Sequence, residues 1–145
     1  MRTSILLRVA SVLTLLYCAG HTSGIPWTPA QGAGDMAVIE GMKSQHFEIV
    51  GVTRTYWDFY YGFGVAITGY LLVQAVVLWQ LAALAKTHTV SLRPIIASLC
   101  VGFLVNTVIL WKFFFAIPLV MAVAITVLLG FAFFAEGRRL TSASA

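Results

Sequence analysis

Four runs of apolar residues, separated by short polar segments, organise this chain of 145 residues. The first, Ile5 to Gly20, follows Arg2 and contains Arg8. As a helix it would measure ~24 Å, short of the ~30 Å hydrocarbon core of a bilayer. Snorkelling by Arg8 and extension through Thr22 and Ser23 would close the gap. A basic start, an apolar centre and small residues at Cys18 and Gly20 also suit a cleaved signal peptide, and of the two a retained span over about 4–22 is expected. The second run, Phe59 to Leu84, is long enough to cross with tilt. Lys86 to Arg93 is a short polar connection, and Pro94 suits the first turn of a third helix ending near Phe114. The fourth run covers about 117–135 and stops before Glu136-Gly-Arg-Arg139, with only a tight turn around Ala116 before it. Spans three and four should therefore form an antiparallel hairpin, and the tail Thr141–Ala145 should be disordered.

Between the first two runs the pattern changes. Residues 21–34 are rich in turn formers and exclude a long helix, and Trp27 suits a membrane interface. From Met36 to Val50 a helical period returns: Met36, Ile39, Met42, His46 and Val50 share one side, opposite Glu40, Ser44, Gln45 and Glu48. Lys43 departs from the apolar arc and Gly41 weakens the helix. The pattern predicts a short amphipathic helix on the outer face, within a cap over 23–57.

Composition agrees with membrane spans. The chain is 60% hydrophobic and 10% charged, with a mean hydropathy of +0.93, whereas soluble domains carry roughly 25% charged residues. The formal charge of +4 comes from basic residues at segment ends, a pattern of topology rather than nucleic-acid binding. With the N-terminus inside, the inner side holds six Lys and Arg residues and the outer side three (Lys43, Arg54 and Lys112). Both termini are expected to be cytoplasmic. Cys18 and Cys100 would differ in depth by roughly 10 Å, too far apart for a disulfide.

Candidate chemistry gathers where the polar segment enters span two, Arg54-Thr-Tyr-Trp-Asp-Phe-Tyr-Tyr-Gly-Phe-Gly64. On one helix Arg54 and Asp58 would pair across a turn. Gly62, Ala66 and Gly69 would form a strip along which another helix approaches, and Tyr56, Trp57, Tyr60 and Tyr61 an aromatic belt. His21, His46, Asp58 and Lys112 are all expected at the outer membrane level. Two histidines and a carboxylate are candidates for acid–base catalysis or, with less support, for a metal site. Arg54, Trp57, Asp58, Asn106 and Lys112 are the candidate ligand contacts. Asn106, deep in span three, more simply hydrogen-bonds a neighbouring helix. No cofactor is predicted: no histidine lies inside a span to hold haem, and there is no CxxC pair. No span carries several charges, as a pump would, and no inverted repeat suggests a carrier.

His21-Thr-Ser-Gly24, Trp57-Asp-Phe-Tyr-Tyr-Gly-Phe-Gly64, Asn106 and Trp111-Lys-Phe-Phe-Phe-Ala-Ile-Pro118 together resemble a group of uncharacterised small four-pass bacterial membrane proteins. The layout is also similar, loosely, to DoxX-like four-helix proteins. The resemblance implies a fold and a bacterial inner membrane, and brings no activity. The basic glutathione motif of MAPEG enzymes is missing.

The expected fold is an all-α transmembrane four-helix bundle with a short amphipathic helix on its outer face. The expected function is non-enzymatic: binding of lipid or an apolar ligand, or service as an accessory subunit. The alternative is a membrane enzyme acting on a lipophilic substrate at an outer-face cluster of His21, His46 and Asp58. The expected partners are the bilayer, a second copy or another membrane protein, and not nucleic acid.

Overall fold

A computed structural model describes residues 2–24, 30–87 and 91–143. The elements are α1 (Arg2–Gly24), α2 (Ala33–Ser44), β1 (His46–Ile49), β2 (Val52–Thr55), α3 (Tyr56–Thr87), α4 (Arg93–Phe113) and α5 (Ala116–Ala143). Among the described residues four helices, α1, α3, α4 and α5, are long and apolar enough to cross a membrane. The chain is an all-α multi-pass membrane protein built as a helical bundle. Trp27 and His88 lie outside the described residues.

The chain divides into two compact units, Met1–Tyr17 with Leu71–Ala145, and Cys18–Tyr70. In the first, buried positions recur at alternating steps of three and four. They are Leu71, Ala75, Leu78, Ala82 and Ala85 on α3, and Ala122, Ile125, Leu129, Ala132 and Glu136 on α5. On α4, Ile96, Phe103 and Leu110 are buried at sevenfold spacing. A heptad spacing is the sequence condition for left-handed packing of side chains into facing holes, with helices crossing at about 20°. The large apolar residues on the other faces, such as Val73, Val101, Leu104 and Phe131, are exposed. That is the arrangement required in lipid, where apolar surface gains nothing by turning inward and helices associate through small and polar side chains.

The α1 seam shows this directly. Thr3, Ser4, Ser11 and Thr14 are buried there with Leu7 and Ala10. Ser4 Oγ donates to the Ala82 carbonyl at 2.6 Å and Ser11 Oγ to the Ala75 carbonyl at 2.7 Å. Serine facing alanine keeps both backbones close enough for a side chain to reach the opposite main chain. Between α4 and α5, Cys100 Sγ donates to the Thr126 carbonyl at 3.7 Å and the hydroxyls of Thr107 and Thr126 meet at 3.4 Å.

Helix ends follow local chemistry. Pro94 sits in the first turn of α4, where its missing N–H costs no intrahelical bond. At the far end Phe114 turns extended and its N–H closes on the Leu110 carbonyl at 2.9 Å, and α5 starts at Ala116, beside the expected start near 117. α5 also continues through Ala143, so the expected disorder is not found over 141–143.

In the second unit the helix expected over Met36–Val50 is shorter. α2 ends at Ser44, Gln45 is extended, and β1 pairs antiparallel with β2 in the register His46↔Thr55, Phe47↔Arg54, Glu48↔Thr53 and Ile49↔Val52. The reason is the density of aromatic and β-branched residues on either side of Val50-Gly51, which favours strands over a last helical turn. Val50 (φ 50°) and Gly51 (φ 74°) make the two-residue turn, both in the left-handed region that a type I′ hairpin demands. Phe47 then packs on Tyr56 and Phe59, with ring centroids 5.1 and 5.3 Å away. None of the residues of α2 is buried. Lys43, the misfit on its apolar arc, stands over the Trp57 ring at 4.9 Å.

Candidate functional site

All the candidate residues except Asn106 and Lys112 belong to the second unit, and each is engaged there. His21, in the last turn of α1, donates from Nε2 to the Gly64 carbonyl of α3 at 3.0 Å. Beside it Cys18 Sγ donates to the Thr68 carbonyl at 3.5 Å, and the hydroxyls of Thr22 and Thr68 lie 3.1 Å apart. Here α1 approaches α3 along Gly64 and Thr68. The strip of Gly62, Ala66 and Gly69 expected to serve this purpose is exposed instead, and a Cβ on Gly62 or Gly69 would meet nothing within 4 Å.

His46 is not on a helix. It opens β1, exposed, and its Nδ1 donates to the Ser44 carbonyl at 2.7 Å. These bonds engage Nε2 of His21 and Nδ1 of His46.

Asp58 caps α3. The Thr55 N–H donates to its Oδ2 at 2.8 Å, and the Asp58 N–H donates to Thr55 Oγ1 at 3.2 Å. This is a reciprocal capping box with aspartate in the usual glutamate place. The one-turn helical pair expected between Arg54 and Asp58 does not arise, because α3 begins at Tyr56 and Arg54 stands in β2. Its Nη1 donates to the Thr53 carbonyl at 2.8 Å. Trp57 meets both the Lys43 ammonium, 4.9 Å from its ring, and the Tyr60 ring, 5.6 Å away by centroids. Because His46 pairs with Thr55, which binds Asp58, the hairpin brings His46 and Asp58 to one end of α3.

Asn106 and Lys112 belong to the first unit. Asn106 is half-buried and approaches the Tyr17 hydroxyl. Lys112, in the last turn of α4, has its ammonium 5.1 Å from the Phe113 ring. Among the described residues no group of three His, Cys, Asp or Glu side chains is placed to hold a metal ion. Both cysteines are free.

One buried carboxyl group lies at the end of the α4–α5 pair away from Lys112. Glu136 is fully buried, in the heptad place that follows Leu129 and Ala132. Nearby, the Arg93 guanidinium covers the Phe133 ring at 4.3 Å and passes across Gly137, where a Cβ would come within 3.2 Å of Cζ. The apolar run that predicts the fourth span stops just before Glu136. Carrying the step of three and four beyond Ala132 would have set it in the seam. On the same unit, the exposed Arg8 lies over Trp79 at 5.0 Å and borders a shallow groove of about 230 Å³ with Val9, Val12 and Leu13.

Comparison of the chain with protein-family models, with curated proteins and with solved structures finds no match.

Proposed function

We propose that this chain is a non-enzymatic membrane component, one that binds lipid or another apolar ligand or serves as an accessory subunit of a membrane assembly. A single observation carries the reading: the side chains an enzyme would use are engaged in bonds that build the fold. His21 ties α1 to Gly64, His46 closes on Ser44, and Asp58 caps its own helix. The reading includes a retained α1 span, favoured by the bonds of Ser4 and Ser11 to α3. It also includes a bacterial inner membrane with both termini cytoplasmic, favoured by the distribution of Lys and Arg and by the resemblance to small four-pass bacterial proteins.

One observation favours a second reading, a membrane enzyme acting on a lipophilic substrate. The hairpin register brings His46 and Asp58 to the same end of α3, a carboxylate and an imidazole of the kind acid–base chemistry uses. The test is native mass spectrometry with elemental analysis on gently purified protein, joined to His21→Gln, His46→Gln and Asp58→Asn variants. Lipid or protein adducts that persist in all three variants support the non-enzymatic reading. Variants that fold normally yet lose a shared cellular phenotype would replace it with the enzyme.

A further inference from the structure

Arg8 is the one basic residue placed well inside α1, about 9 Å along the helix from Arg2 at ~1.5 Å per residue. Its side chain is exposed, on a helix whose seam is buried elsewhere, so it faces the lipid side. A charge held there is costly unless it reaches the headgroups or meets an anion. Two further features surround it. The half-exposed Trp79 of α3 lies under the guanidinium at 5.0 Å, holding the charge against an amphipathic ring of the kind that sits at headgroup level. Beyond Arg8, toward the middle of the span, Val9, Val12 and Leu13 line a shallow, open apolar groove on α1 itself, of about 230 Å³. Lys86 is exposed seven residues from Trp79, two turns along α3 on the same stripe, toward the helix end.

We propose that Arg8, Trp79 and the Val9–Val12–Leu13 groove form a binding site for an anionic phospholipid of the inner leaflet. The guanidinium takes the phosphate through two parallel N–H donors. Trp79 fixes the height of that guanidinium, the groove takes the upper part of one acyl chain, and Lys86 adds attraction for a second negative charge on the headgroup. Charge and shape agree on this occupant. A neutral apolar ligand would leave the guanidinium uncompensated, and a free anion would have no use for the groove, which leads into hydrocarbon. The inference deepens the lipid-binding reading above and rests on it.

The test uses the full chain in mixed bilayers of equimolar phosphatidylglycerol and phosphatidylcholine, with retained lipid counted by native mass spectrometry. The wild type should hold phosphatidylglycerol in preference by about fivefold, the factor expected for one basic residue near an anionic surface. Arg8→Gln should abolish the preference and Trp79→Leu should reduce it. Arg2→Gln, which removes the same charge from the same helix end, should leave it intact. Unchanged helicity and melting of Arg8→Gln would establish that the fold survives. Equal loss in Arg2→Gln and Arg8→Gln would overturn the site in favour of general surface attraction. A wild type that holds both lipids alike would remove the site but not the wider proposal, which falls only if all variants bind no lipid and no protein partner.

Discussion

The Ser11 hydroxyl of α1 donates to the Ala75 carbonyl of α3 at 2.7 Å, and seven residues earlier Ser4 makes the same bond to Ala82. Both serines are almost fully buried. The pairs share a heptad step on both helices, so the hydroxyls act as a regular stitch between antiparallel spans. Ser11→Ala should therefore lower stability by about 0.6 kcal/mol, the average for such bonds in membranes. Ser11→Leu should cost more, about 1–3 kcal/mol, by forcing the helices apart. Detergent unfolding followed by circular dichroism would check both. Equal melting of Ser11→Leu and wild type would show that α1 does not pack on α3 at this level.

Thr55 and Asp58 exchange two hydrogen bonds at the start of α3, so neither acts alone. Thr55→Ala should cost about 1 kcal/mol, as the loss of an N-cap usually does. Asp58→Ala should destabilise in the same direction, and the double variant should be little worse than either single one. Asp58→Asn keeps an acceptor for the Thr55 N–H and should fold nearly as well as wild type. Additive losses in the double variant would mean that Asp58 has a stabilising partner other than Thr55.

The spans and the α4–α5 hairpin were legible in the sequence, because uninterrupted apolar length is a strong constraint in a bilayer. The packing faces were less so. Gly62, Ala66 and Gly69 satisfy the small-residue rule, yet α1 meets Gly64 and Thr68, set by where Cys18 and His21 can reach carbonyls and Thr22 the Thr68 hydroxyl. The hairpin was hidden because Met36, Ile39, Met42, His46 and Val50 match a helical period by coincidence beyond Ser44. The alternation of His46-Phe-Glu-Ile49, followed by Val50-Gly51, carried the competing signal. How the candidate side chains are engaged could not be read from the sequence. A hydrogen bond from His21 to a main-chain carbonyl depends on how two distant segments register, which spacing along one segment does not encode.

Val50 deserves a stability test of its own, since it is 96% exposed at φ 50°. A β-branched residue is disfavoured in the left-handed region, where Asn or Gly is the usual first residue of a type I′ turn. Val50→Asn should stabilise the hairpin by about 1 kcal/mol. The effect should show as slower hydrogen exchange of the amides that pair β1 with β2. Faster exchange would mean that contacts of the Val50 side chain outweigh the strain of its backbone.

Arg93, Phe133 and Gly137 form a coupled set whose sign can be worked out. The guanidinium lies 4.3 Å over the Phe133 ring, and a Cβ on Gly137 would come 3.2 Å from Cζ and 3.3 Å from Nε. In a helix interior Gly→Ala is ordinarily worth about 1 kcal/mol. Here the new methyl group pushes a cation off an aromatic face, at a cost of about 1–2 kcal/mol where the pair is partly desolvated. The two terms nearly cancel, so Gly137→Ala should be neutral or slightly destabilising in the wild type. With Arg93→Ala already in place nothing is displaced, and Gly137→Ala should then stabilise by about 1 kcal/mol. The double-mutant cycle reads the difference directly. Equal effects of Gly137→Ala in both backgrounds would mean that Arg93 does not rest on Gly137 and Phe133 in solution.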